Sequence, residues 1–193
     1  MKHYTRTLTH FLFISFTFAQ TQLGSDIDGE AADDRSGWSV SMNSAGDRVA
    51  IGAPWNDGTG DGAGHVRVYE YSNSSWSQLG SDIDGEAADD LSGRSVSMNS
   101  AGDRIAIGAM YNDGTASDAG HVRVYEYSNS SWTQIGSDID GEAASDGSGR
   151  SVSMNSAGDR VAIGASGNDG SGDGAGHVRV YEYSNSSWTQ IGS

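Results

Sequence analysis

Gly24-Ser25-Asp26-Ile27-Asp28-Gly29-Glu30 returns at Gly80–Glu86 and again at Gly136–Glu142. The copies start at Gly24, Gly80 and Gly136, so the period is 56 residues both times, with nothing inserted or lost between them. The chain thus divides into units 24–79, 80–135 and 136–191, and Gly192-Ser193 begins a further copy. A fixed period of this length marks an array with one supersecondary unit per repeat, because stacking of neighbours supplies the core that a lone unit lacks.

Within a unit the apolar residues alternate with a period of two, which is the side-chain repeat of a strand. Ser39–Met42 reads as a first strand, Asn43–Asp47 as a turn, and Arg48–Ala53 as a second strand. A Gly/Asp/Asn loop over Asn56–Gly64 leads to His65–Tyr71, the clearest strand, rich in β-branched and aromatic residues. Ser72–Ser75 is a turn, and Trp76–Leu79 starts a fourth strand. No apolar run has helical period and length. Four short strands with short connections predict an antiparallel meander, and tandem four-stranded sheets are the blades of a propeller. The expected fold is all-β and propeller-like: three four-stranded antiparallel blades in an incomplete ring.

The same residues carry a family likeness. Ser36-Gly37-Trp38-Ser39-Val40, Val49-Ala50-Ile51-Gly52-Ala53-Pro54 and Gly64-His65-Val66-Arg67-Val68-Tyr69 resemble the FG-GAP repeat of integrin α-subunit propellers and related secreted bacterial proteins. The resemblance runs through all three units. Ser36, Ser92 and Ser148 stand where the family has Phe, and Pro54 becomes Met110 and Ser166 in the later copies. It implies a calcium loop between strands one and two, shortened here to Asn43–Asp47. It also implies partner binding on the face that carries the loops between strands two and three and between units.

Ahead of the repeats, Lys2 and Arg6 precede the apolar run Leu8–Ala19, and Thr17 and Ala19 supply small residues before Gln20. This is the layout of a cleaved export signal over residues 1–19. The run is shorter than the roughly 20 residues that cross a bilayer. A secreted or cell-surface protein is expected, with no transmembrane segment. With no Cys, stability rests on packing and hydrogen bonds rather than disulfides.

Among 193 residues, 11 Lys and Arg face 26 Asp and Glu, a net charge of −15. Nucleic acid is excluded as a partner, since phosphate binding needs a basic footprint. Consecutive antiparallel strands send the 2–3 loop and the inter-unit loop to one end of the blade. That end collects seven, seven and six acids from the three units, 20 of the 26. Carboxylates on Gly-rich loops suit Ca²⁺. Asp26 and Asp28, with their copies Asp82, Asp84, Asp138 and Asp140, are the candidate ligands; a solvated acidic surface with self-capped turns is the competing reading.

Catalysis requires differentiated groups, whereas here nearly every polar residue occurs three times in one setting. A non-enzymatic protein is expected. His65, His121 and His177 are one position in three copies and read as structural residues at the start of the third strand. Arg48, Arg67 and their copies read as partners of nearby acids or Tyr rings, and Trp76, Trp132 and Trp188 as packing between blades. Asn73-Ser74-Ser75 and its copies match a glycosylation sequon but sit where a turn is needed.

The units differ chiefly near the acid-rich loops: Arg35/Leu91/Gly147, Trp38/Arg94/Arg150, Pro54/Met110/Ser166 and Trp55/Tyr111/Gly167. Trp38, Trp55, Tyr111, Arg94 and Arg150 are the candidate ligand contacts. Closed propellers usually have four to eight blades, so further blades from a longer chain, a second subunit or a closed three-fold β fold would cover the ends. The expected function is a binding or adhesion module presenting an acidic loop face to a protein or glycan. A structural surface array without a ligand, or a piece of a polysaccharide-active propeller enzyme, are the alternatives.

Overall fold

A computed structural model of the chain describes residues 21–192, so the expected export signal at 1–19 lies outside the described residues. Ser39–Met42 forms β1, Arg48–Ala53 β2, His65–Ser72 β3 and Ser75–Gln78 β4. They pair as an antiparallel meander, with Ser39 opposite Gly52, Ala53 opposite His65 and Tyr71 opposite Trp76. The later units repeat this order. Ile83–Asp84 (β5) is followed by β6 (Ser95–Met98), β7 (Arg104–Ala109), β8 (His121–Ser128) and β9 (Ser131–Gln134). Ile139–Asp140 (β10) is followed by β11 (Ser148–Met154), β12 (Arg160–Ala165), β13 (His177–Ser184) and β14 (Ser187–Ile191). No helix occurs among the described residues. The molecule is all-β and propeller-like, three tandem four-stranded antiparallel blades in an incomplete ring.

The turns follow from their side chains. Asn43 closes the β1–β2 turn by itself: its Oδ1 accepts from the Asp47 and Arg48 amides at 3.1 and 3.0 Å, and its Nδ2 donates to Asp47 Oδ1 at 2.7 Å. The β3–β4 connection is a two-residue hairpin with Asn73 and Ser74 at φ 50° and 65°, the hand that matches strand twist. Its Asn-Ser-Ser triplet therefore forms the turn that was expected there.

One feature of the inter-unit segment escaped the strand pattern. Ile83–Asp84 (β5) pairs with the start of β3, with Val66 opposite Ile83 and His65 opposite Asp84. Ile139–Asp140 does the same on β8. Two residues are too few to show alternation, so the stretch reads as loop until the preceding blade offers its edge. The second and third units thus each clasp the blade before them.

The core lies between blades. Ala50, Val66 and Val68 of the first unit meet Ile83, Met98, Ile105 and Ile107 of the second. Ala106, Val122 and Val124 then meet Ile139, Val161, Ile163 and Tyr181 of the third. Trp132 packs on the first core and donates from Nε1 to Leu79 O at 2.7 Å, and Trp188 donates to Ile135 O at 2.9 Å. Trp132 and Trp188 thus have the expected inter-blade role, whereas Trp76, in the first blade, donates to Leu23 O at 2.9 Å in the segment ahead of the repeats. Blades approach so closely that Gly52 is required: a Cβ there would lie 2.1 Å from Gly93 O. At the two ends the same residue types face outward. Val178 is 67% exposed where Val66 and Val122 are fully buried, and Met42 is 53% exposed where Met98 is buried.

Candidate functional site

The 2–3 loop and the inter-unit loop meet at one end of each blade, as strand order requires. Asn56 Nδ2 donates to the buried Asp34 carboxylate at 3.0 Å, and the Asp89 amide donates to Asp61 O at 2.8 Å. Many of the acids here hold the loops in shape. Asp57 Oδ1 accepts from the Gly62 amide at 2.8 Å, and Asp113 and Asp169 do the same for Asp118 and Gly174. The self-capping expected of Asp in turns accounts for these positions.

Between the first and second blades this end opens into a cleft of about 450 Å³, lined by Arg35, Trp38, Trp55, Leu91, Arg94, Met110 and Tyr111 together with Asp61, Gly62 and Asp89. Trp38 immediately precedes β1, Trp55 lies two residues beyond β2, and Arg94 and Tyr111 hold the corresponding places in the second unit. Trp38 and Trp55 pack edge to face at 4.7 Å. The Arg35 guanidinium lies 4.1 Å from the Trp55 ring centre and that of Arg94 lies 4.3 Å from Trp38. The result is a row of cation, ring, ring, cation. Arg150 stands beside it, its Nη1 4.0 Å from Met110 Sδ. Burial lowers the Arg94 pKa from its ordinary value, and the positive charge of Arg150 lowers it further. Trp38, Trp55, Tyr111 and Arg94 are thus brought into one cleft, with Arg150 at its side.

The ion pairs set these arginines apart. Arg48, Arg104 and Arg160 pair with Glu70, Glu126 and Glu182 at 2.6–2.7 Å, and Arg67, Arg123 and Arg179 each pair with the Glu of the unit's opening motif. Arg48 also lies 5.8 Å from the Tyr127 ring. Among the described residues, Arg35, Arg94 and Arg150 pair with no carboxylate. Composition shows a surplus of acid, and only the folded arrangement reveals that Arg35 and Arg94 share one cleft, with Arg150 beside it, and form no ion pair even though Asp61 and Asp89 line the same cleft.

A second cluster sits at the inter-blade seam. Glu30, His65 and Asp82 bring one ligand atom each within 4.8 Å of one another, and Glu86, His121 and Asp138 do the same one unit later. His65 Nδ1 is 3.8 Å from Glu30 Oε2 and 3.9 Å from Asp82 Oδ2; His121 Nδ1 is 3.9 Å from Glu86 Oε2 and 3.6 Å from Asp138 Oδ2. Burial lowers the His121 pKa, while Asp138, Asp90 and Asp140 oppose the shift. Of the acids selected from sequence, Asp82 and Asp138 enter these clusters, while Asp26, Asp28, Asp84 and Asp140 enter no such group among the described residues. Asp28 instead presents its backbone carbonyl to Arg67, and Asp140 presents its own to Arg179. Each group joins a Glu and a His of one unit to an Asp of the next, a juxtaposition that no single copy of the repeat displays.

A family model for the FG-GAP repeat matches residues 26–69, which span β1 to β3 of the first blade. The chain carries an FG-GAP repeat. A comparison with curated proteins finds no match. Among solved structures, a putative 6-phosphogluconolactonase from Bacteroides fragilis superposes with a TM-score of 0.54 at 11% identity, covering 79% of this chain and 36% of the other. Hydrazine synthase from Kuenenia stuttgartiensis superposes with a TM-score of 0.52 at 10% identity, covering 86% and 38%. At this identity the likeness is one of fold, and this chain spans little more than a third of either relative.

Proposed function

We propose that this FG-GAP protein is a secreted, non-catalytic binding module of the adhesion type. Its contact site is the cleft between the first two blades, and its ligand is a protein or glycan bearing carboxylate or sulfate groups. One observation carries the reading: the positions at which otherwise copied units differ converge on a single cleft and furnish it with arginines that have no carboxylate partner. In a chain of charge −15, guanidinium groups left free beside a large choice of acids are donors available to an anion from outside. Trp38 and Trp55 add flat apolar surface of the kind that anchors a sugar ring or an aliphatic side chain. The surrounding acids discriminate against bulk polyanions such as nucleic acid while leaving the local donors in place.

The test is a panel of neutral, carboxylated and sulfated glycans and extracellular proteins screened against the wild type, followed by Trp55→Ala and Arg94→Gln. Trp55 holds both Trp38 and Arg35, so its loss is expected to act as a hot spot of about 2 kcal/mol, raising Kd about thirtyfold. Arg94→Gln is expected to weaken only the anionic ligands. Failure of the wild type to bind any member of the panel would favour a structural array without a ligand.

A further inference from the structure

We propose that the two seam clusters, Glu30–His65–Asp82 and Glu86–His121–Asp138, each bind one divalent transition-metal ion of the Zn²⁺ type, tying each blade to the next.

The argument begins with the buried imidazoles. His65 and His121 are only 2% and 3% exposed, and their Nδ1 atoms point at two carboxylate oxygens that lie too far away for hydrogen bonding. Both carboxylates stand 3.6–3.9 Å from Nδ1. Ligand atoms arranged tetrahedrally about one Zn²⁺ lie roughly 3.4 Å apart; the His–carboxylate distances are within a few tenths of an ångström of that, and all three ligand atoms of each set lie within 4.8 Å of one another.

The outer oxygens are already committed, which orients the inner ones. Glu30 Oε1 faces Arg67 Nη1 at 3.3 Å, and Asp82 Oδ1 accepts from Gln78 Nε2 at 2.5 Å. In the second cluster Glu86 Oε1 pairs with Arg123, and Asp138 Oδ1 accepts from Gln134 and Arg123. Outer partners of this kind fix ligand carboxylates in metal sites. Two carboxylates against one guanidinium leave each cluster negative beside an imidazole, a charge that a divalent cation would reverse. One nitrogen and two oxygens suit Zn²⁺ or its neighbours in the transition series; Ca²⁺ and Mg²⁺ favour oxygen alone.

The fold supplies a control at each end. Glu142 and His177 keep the same pairing, with Nδ1 3.9 Å from Oε2, but no Asp joins them among the described residues. Asp26, the copy of Asp82 in the first unit, enters no such group among the described residues. The assignment therefore predicts two ions among the three units.

The experiment is a calorimetric titration of the chelator-treated full chain with ZnCl₂. The wild type is expected to take two Zn²⁺, Asp82→Asn and Asp138→Asn one each, the double variant none, and Asp26→Asn two. Glu30→Gln combined with Glu86→Gln, at exposed positions, forms a second double variant with the same expectation. Excess Zn²⁺ should raise the melting temperature of the wild type and leave both double variants unmoved. No Zn²⁺ bound by the wild type, full stoichiometry in either double variant, or loss of a site in Asp26→Asn would overturn the assignment.

Discussion

Replacing Gly108 with Ala tests the stacking of blades at one atom. Gly108 lies in β7, and a Cβ there would sit 2.0 Å from the Gly149 carbonyl oxygen of the third blade and 2.5 Å from Ser95 Oγ. Ordinary contact begins at 3.4 Å, so the second and third blades would have to part by the difference, about 1.4 Å, at this point. Backbone cannot rotate away as a side chain does. A gap of 0.5–1 Å already forfeits about a quarter to a half of each dispersion contact across an interface, and the core of Val122, Val124, Val161 and Ile163 lies in the same interface. The upper part of the overpacking range, about 3 kcal/mol, is therefore expected. For a chain of this size that lowers Tm by roughly 6–12 °C. Gly164 is the same position in the third blade, and its Cβ would meet only the Ser151 side chain, at 2.4 Å. That hydroxyl has room to turn aside, and Gly164→Ala should change stability by less than about 0.5 kcal/mol. Thermal unfolding of both variants, followed by circular dichroism, makes the comparison. Equal melting temperatures for the two would refute the placement of the second blade against the third.

Other consequences follow from the same interfaces. Val122→Ala should cost about 2–3 kcal/mol in urea denaturation, because Val122 is fully buried between blades. Val178→Ala, at the equivalent but exposed position, should cost almost nothing; similar losses would mean that the outer face of the third blade is covered in solution. Burial raises the pKa of Tyr125, against the lowering effect of Arg123, and burial likewise raises Tyr69 and Tyr181. A phenol whose folded pKa exceeds its unfolded value contributes stability that is whole below pH about 10 and is lost as pH rises through the folded value. Urea midpoints measured from pH 8 to 11 should therefore fall at the alkaline end, and Tyr125→Phe should flatten the fall; an unchanged slope would remove Tyr125 as a cause.

How much of this was legible in the chain differs by element. Arg48–Ala53 and His65–Ser72 alternate over six and eight residues, long enough for the strand period to declare itself, and Asn43 with Gly46 marks the turn before β2. Ile83–Asp84 gave no such signal, since its pairing depends on an edge offered by the preceding blade. The cleft was half visible. Trp38, Trp55, Tyr111 and Arg94 stood out as positions where the copies diverge, while the lack of acid partners for Arg35, Arg94 and Arg150 appears only once every other arginine has found its own.

Sequence alone determined the class of fold, the number of units and the end of the blade to which the acids go. These depend on local alternation, on turn chemistry and on a period of 56 residues, none of which needs a distant contact to be read. The tertiary structure decided which copies meet. Asp82 faces His65 rather than the histidine of its own unit, and Arg94 lies on Trp38 rather than on Tyr111. Both pairings cross a unit boundary, and strictly copied units carry no mark of which copy supplies which half of a shared site. The stacking of one sheet on the next, set by the buried faces and by glycines that let backbones touch, makes that choice.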